Sequence, residues 1–127
     1  MKNNKQVKVL LVDDEPNIIV ALEFLMEQQG YSVRTAYNGL SALRAIENEL
    51  PNLIILDVMM PEMDGFEVAK AVRNNPACSD IPIVFLTAKG TSDDKWKGYE
   101  SGGEVYLIKP FDNDELVNTI KELIEYN

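Results

Sequence analysis

Apolar positions fall into five short runs separated by stretches of helical periodicity. Val7 to Val12, Leu53-Ile54-Ile55-Leu56, Ile81 to Leu86 and Val105 to Ile108 are nearly continuous, as in strands buried on both faces of a parallel sheet, while Tyr31 to Tyr37 alternates, with Val33, Thr35 and Tyr37 on one side, and reads as a strand nearer the edge. Between these runs, Ile18, Leu22, Leu25 and Met26 recur at helical spacing on a helix capped by Asp14 or Glu15, opened by Pro16 and stopped near Gln29 by Gly30. Leu40, Leu43, Ile46 and Leu50 mark a second helix between the Asn38-Gly39 turn and Pro51. Asp64 with Glu67 resembles a capping pair for a third, through about Asn74 and ended by Pro76. A fourth spans about Ser92 to Ser101, weakened by Gly98 and by the Gly102-Gly103 exit, each interior glycine costing about 1 kcal/mol against alanine. Asp112 and Glu115 cap the fifth, whose stripe is Leu116, Ile120, Leu123 and Ile124. Strand and helix thus alternate five times with short connections, the pattern of a doubly wound α/β fold with a parallel sheet, in one domain over residues 1–127.

Composition narrows the function classes. Twenty-one acids against 12 bases give a formal net charge of −9, which disfavours direct binding to nucleic acid or to an anionic membrane. The polar head Met1 to Gln6 and the short apolar run after it make neither a signal peptide nor a membrane span, so a cytoplasmic protein is expected. Cys78 is the only cysteine, which rules out an intramolecular disulfide and agrees with a reducing compartment. There is no histidine. A phosphohistidine, a histidine base or a histidine metal ligand must therefore come from a partner.

The candidate chemistry lies at the strand ends. If the sheet is parallel, Asp13, Asp14, Asp57, Thr87 and Lys109 all emerge at one edge, where open α/β sheets bind their ligands. Taken singly, each has a plainer reading: the acids as helix caps or loop acids, Lys109 as a solvated loop charge. Their convergence favours a site. Two carboxylates about 4 Å apart repel by about 4 kcal/mol at an effective dielectric near 20. A bound dication relieves this most directly, and oxygen-only ligands select a hard ion. Mg²⁺ fits better than Ca²⁺, because no loop has the oxygen-rich spacing of a calcium-binding hand. A phosphoryl group, flanked by the metal and the Lys109 ammonium, is then the natural anionic ligand, and Asp57 is placed to attack phosphorus and form an acyl phosphate.

Asp13-Asp14, Asp57 followed by Met60-Pro61 and Asp64-Gly65, Thr87-Ala88, and Lys109-Pro110-Phe111 resemble the receiver domain of two-component response regulators, over essentially the whole chain. The resemblance implies a flavodoxin-like sheet ordered 2-1-3-4-5 and a phosphorelay switch. In it Asp57 accepts a phosphoryl group from a histidine kinase or a histidine phosphotransfer protein. It implies that Asp14, Asp57 and the Met59 carbonyl hold Mg²⁺ with Asp13 acting partly through water. By the same resemblance Lys109 pairs with the phosphoryl oxygens, and the Lys109-Pro110 bond is cis. Thr87 turns its hydroxyl toward the phosphoryl group and Tyr106 swings inward, remodelling the face of the fourth helix, fifth strand and fifth helix, with a phosphorylation-dependent dimer through that face as one outcome. Read without the family, Tyr106 is an ordinary strand aromatic. Trp96 and Tyr99 are sheet cover or, if Trp96 is exposed, an interface anchor. The chain departs from the family in having Gly102-Gly103-Glu104 where members often have Gly-Ala-Asp, which adds freedom near the switch. Met59 and Lys89 occupy sites that vary beside the phosphoryl group.

Two rival readings share the architecture. A Mg²⁺-dependent phosphohydrolase with an aspartate nucleophile would resemble Asp-x-Asp, and Met59 stands at the second position, so catalysis is expected to stop at self-phosphorylation and self-dephosphorylation. A flavin binder would need a small-residue phosphate loop where Asp13-Asp14-Glu15 stands. No effector module follows Asn127, so the expectation is a stand-alone receiver acting on an unidentified output protein. The alternative is a receiver cut from a longer transcriptional regulator or a hybrid histidine kinase.

Overall fold

A computed structural model describes residues 7–125; the polar head at 1–6 lies outside the described residues. The elements run β1 (Lys8–Val12), α1 (Pro16–Gln28), β2 (Ser32–Ala36), α2 (Gly39–Asn48), β3 (Leu53–Leu56), α3 (Gly65–Asn74), β4 (Ile83–Thr87), α4 (Ser92–Ser101), β5 (Val105–Ile108) and α5 (Asn113–Glu125). All four strand pairings are parallel and the order is β2-β1-β3-β4-β5, as the resemblance implies. No helix among the described residues is long and apolar enough to cross a membrane.

Successive strand residues face opposite sides, so each buried strand feeds two cores. Leu10, Val12, Ile54, Leu56 and Phe85 pack under α2 and α3 with Ala42, Ile46, Val68 and Val72. Val9, Leu11, Leu53, Ile55, Val84 and Leu86 pack under α1 and α5 with Ile19, Leu22, Met26, Leu116 and Ile120. This two-sided burial explains why the central strands read as unbroken apolar runs.

Several boundaries and stripes differ from expectation. Ile19 rather than Ile18 lies at the centre of the α1 stripe, with Ile18 and Leu25 only partly buried at its margins. On α2 the buried positions are Gly39, Ala42 and Ile46, while Leu40 and Leu50 are exposed. Asn38 is not just a turn residue: its side chain accepts from the Ser41 N–H and so caps α2, while Ile46 is buried as expected and Leu43 is partly buried beside it. Tyr37 lies past the end of β2 and is exposed, and Ala36 takes the buried place. β4 starts at Ile83, leaving Pro82 outside it, where the Pro82 carbonyl still accepts from Ile54 N–H. The expected capping pair of Asp64 and Glu67 is formed reciprocally, and Gly30, with φ of 88°, follows α1 in the left-handed conformation.

Gly98 is explained by close packing. A Cβ there would lie 2.5 Å from the Tyr106 ring and 3.3 Å from Phe85, so glycine is what lets α4 settle onto β5. At the α4 exit Gly102 has φ of 114°, and Arg73 of α3 holds the segment by donating from Nε and Nη2 to the Gly102 carbonyl and from Nη2 to Glu104. Glu104 in turn accepts from Ile83 N–H, which gives the departure from Gly-Ala-Asp a defined set of bonds.

Candidate functional site

Strand register assembles the site. Val12 pairs with Leu56, and Asp57 N–H donates to the Val12 carbonyl at 2.9 Å, which sets Asp57 beside Asp13. Thr87 pairs with Ile108, and Lys109 N–H donates to the Thr87 carbonyl at 2.9 Å, so the ladder also continues one residue past β5. Behind Asp57 the start of α3 presses on the chain: Gly65 N–H donates to the Val58 carbonyl, and a Cβ on Gly65 would lie 2.3 Å from the Asp57 carbonyl oxygen. The Lys109-Pro110 peptide is cis, as expected.

Asp13 and Asp57 are almost fully buried, at 2% and 3% exposure. The Lys109 ammonium reaches both, with Nζ 2.8 Å from Asp13 Oδ2 and 3.7 Å from Asp57 Oδ2. It also lies 3.3 Å from Glu15 Oε1. Asp14 is exposed, yet carboxylate oxygens of Asp13, Asp14, Glu15 and Asp57 all lie within 4.8 Å of one another. Three of these carboxylates, those of Asp13, Glu15 and Asp57, thus share one ammonium.

The imbalance appears in the titration behaviour. Burial pushes the Asp13 carboxyl above its ordinary value, and the Asp57 charge adds to the rise, outweighing the Lys109 hydrogen bond and the Glu15 N–H that pull it down. For Lys109 burial works toward a lower value, but the Asp13 hydrogen bond and the charges of Asp57, Asp13 and Glu15 prevail and hold the ammonium above its usual range. A second cation would relieve both buried acids. Because the donors are all oxygen, the residues present fit a hard dication such as Mg²⁺.

Thr87 is fully buried, and its Oγ1 accepts from Lys89 N–H at 3.3 Å. Tyr106 already points inward: its ring is buried against Phe85 and its hydroxyl donates to the Lys89 carbonyl at 2.7 Å. Lys89 therefore links the hydroxyl of β4 to the phenol of β5. Burial, with lesser contributions from Asp94 and Asp57, pushes the Tyr106 phenol up to about 12. Met59 N–H donates to Asp57 Oδ1 at 3.2 Å, and Met59 and Lys89 line a shallow depression beside the acid.

One expectation about local roles changes. Neither Asp14 nor Glu15 caps α1 with its side chain; Glu15 occupies the cap position without a side-chain bond, while Asp13 Oδ1 accepts from Glu15 N–H. Glu15 instead joins the acid cluster as a site residue that sequence reasoning passed over, although its place directly after two acids was the available signal. Trp96, at 67% exposure, and Tyr99, half exposed, stand on the outer side of α4.

Residues 9–121 match the response regulator receiver domain. The chain is 43% identical over 117 residues to the alkaline phosphatase synthesis transcriptional regulatory protein PhoP of Bacillus subtilis (strain 168), covering 92% of this chain and 48% of that protein. The chain spans about half the length of the curated relatives it matches. Among solved structures, the chemotaxis protein CheY4 of Vibrio cholerae superposes with a TM-score of 0.87 at 36% identity, covering 92% of this chain and 98% of that one. The receiver domain of a sensor histidine kinase from Pseudomonas aeruginosa PAO1 superposes with a TM-score of 0.87 at 28% identity, covering 94% of this chain and 98% of that one, and carries a magnesium ion coordinated in its active site cleft.

Proposed function

The chain belongs to the response regulator receiver family, and from that premise we propose that Asp57 is its phosphoacceptor. An Asp57 carboxylate oxygen attacks the phosphorus of a phosphohistidine on a partner kinase or phosphotransfer protein. The oxygen–phosphorus bond forms, the phosphorus–nitrogen bond breaks, and the partner's imidazole leaves with the electron pair. The observation that carries this reading is the meeting of a buried aspartate and a partly buried ammonium, 3.7 Å apart, from the ends of strands β3 and β5 in a chain without histidine.

Asp13, Asp14, Asp57 and the Met59 carbonyl would hold Mg²⁺, which supplies charge neutralisation for the transferring group. Lys109 holds a further phosphoryl oxygen, and Thr87 donates its hydroxyl to another. Tyr106, packed inward on Gly98 and bonded to the Lys89 carbonyl, ties that event to α4. The face of α4, β5 and α5, with Trp96 and Tyr99 as exposed anchors, is then what an output partner, attached or separate, or a second phosphorylated copy would read. The chain matches about half of each curated relative and nearly the whole of the CheY4 chain, so an attached and a separate output module are both compatible with it. Chemistry beyond self-phosphorylation and self-dephosphorylation is not part of this reading. The cytoplasm is its setting, where Cys78 stays a free thiol.

Incubation with acetyl phosphate and Mg²⁺ followed by intact-mass measurement tests the reading. One Mg²⁺-dependent phosphoryl adduct is expected on the wild type and none on Asp57→Asn; an undiminished adduct on the variant would place the acceptor elsewhere.

A further inference from the structure

Glu15 occupies the N-cap position of α1 but makes no side-chain cap bond, and its own N–H is already taken by Asp13. The side chain is free of local duty and is 61% exposed, yet its Oε1 comes 3.3 Å from Lys109 Nζ, nearer than the 3.7 Å to Asp57. An ammonium has three protons to give. Asp13 holds one at 2.8 Å in a buried, fixed geometry, and Glu15 takes a second, while Asp57 lies beyond hydrogen-bond reach. A phosphoryl group on Asp57 would extend toward Lys109, take the third proton and crowd further negative charge against the acids already on the ammonium. Releasing Glu15 costs least, because an exposed carboxylate regains water whereas Asp13 cannot.

Building on the phosphoacceptor reading, we propose that Glu15 is a positioning residue for Lys109: it holds the ammonium while the site lacks a phosphoryl group and is displaced when one arrives. It therefore competes with the phosphoryl group. At the same time its charge, within 4.8 Å of the other three carboxylates, strengthens the site for a dication. The two effects have opposite signs, which separates this role from a merely structural one.

The test measures Mg²⁺ binding by calorimetry and phosphoryl occupancy by intact mass across acetyl phosphate concentrations. The proteins are wild type, Glu15→Gln, Glu15→Asp and, as a control for net charge, Glu27→Gln, about 18 Å along α1. Glu15→Gln is expected to lower the acetyl phosphate concentration for half occupancy at saturating Mg²⁺ about threefold, the effect of an exposed ion pair, and to weaken Mg²⁺ by a similar factor. Glu15→Asp keeps the charge but withdraws it from Lys109, so it should reproduce the first change with little of the second. Glu27→Gln should show neither. The inference is overturned if Glu15→Gln leaves half occupancy unchanged or raises it, or if Glu27→Gln shifts it equally. A wild type that takes no phosphoryl group removes the phosphoacceptor reading itself, and this inference with it.

Discussion

Replacing Gly65 by alanine tests how tightly the loop after Asp57 is clamped. The new Cβ would stand 2.3 Å from the Asp57 carbonyl oxygen, 2.8 Å from Val58 Cα and 2.9 Å from the Asp57 carbonyl carbon. All three are backbone atoms, so no rotamer change relieves the contact, and about 1 Å of backbone movement is needed to reach ordinary packing distance. Overpacking of this kind costs about 1–3 kcal/mol, against which alanine returns at most about 1 kcal/mol of helix propensity. A net loss of about 1–2 kcal/mol follows, seen as a drop in Tm of roughly 3–10 °C for a domain of this size. The displaced atoms carry Asp57 with them, and misplacing a reacting group by about 1 Å can cost on the order of a hundredfold in rate, so the initial rate of adduct formation with acetyl phosphate should fall at least tenfold. Gly90→Ala is the internal control. Its nearest contact is the Ile108 Cδ1 methyl at 3.3 Å, the movable end of a side chain, and Tm should change by no more than about 2 °C. Circular dichroism melts and intact-mass time courses read both effects. A Gly65→Ala protein with wild-type Tm and wild-type rate would refute the clamp.

Three further outcomes follow from the same geometry. Lys109→Met leaves Asp13 and Asp57 buried without their counter-ion and should cost roughly 3 kcal/mol at neutral pH, read from urea midpoints. Asp13 already titrates above its ordinary value, and a carboxyl raised by folding penalises the fold at neutral pH and relieves it as pH falls, so the variant's deficit should shrink between pH 7 and 5; a deficit that grows would contradict the charge argument. Mg²⁺ at ten times its dissociation constant should stabilise the wild type by about 1.4 kcal/mol, raising Tm by a few degrees reversibly with chelator, whereas Asp57→Asn should respond less; equal responses would separate the metal from Asp57. The Tyr106 phenol, raised to about 12, favours the fold fully below the usual phenol range and loses that contribution as pH rises from about 10 to about 12. Burial also raises the Tyr31 phenol, so absorbance titration of Tyr106→Phe should lose the step near 12 and keep that of Tyr31; an unchanged step near 12 would mean another phenol carries it.

The sequence made the fold and the main candidate site residues legible because both rest on the same feature, short apolar strands that end in polar chemistry. Alternation of strand and helix announced the parallel sheet, and Asp13, Asp57, Thr87 and Lys109 lay where strand runs stop. Features set by packing between elements were not visible. Gly98 read as a weak point of α4 because propensity counts only the helix itself, whereas the Tyr106 ring lies where its Cβ would be. Leu40 and Leu50 fitted a helical stripe, yet the cap at Asn38 and the helix end at Asn48 put both at exposed margins. Glu15 was readable as an acid but not as a partner of Lys109, 94 residues later, since that contact exists only through the sheet order.

That dependence on sheet order ties function to the core. Leu10 pairs with Ile54 and Leu11 with Ile55 in the β1–β3 ladder, and Ile55 with Val84 in β3–β4. A slip of one residue in β3 would turn Ile54 and Leu56 from one core into the other and reverse the whole pattern of packing. Slipping two would restore the faces but carry Asp57 about 6.6 Å along the strand, away from Asp13 and Lys109. Only the observed register satisfies both the apolar faces and the charged edge. Burial of residues with no chemistry of their own therefore fixes the distance between an acid and an amine contributed by different strands, and the electrostatic tension at that edge is sustained by the stability of the packing beneath it.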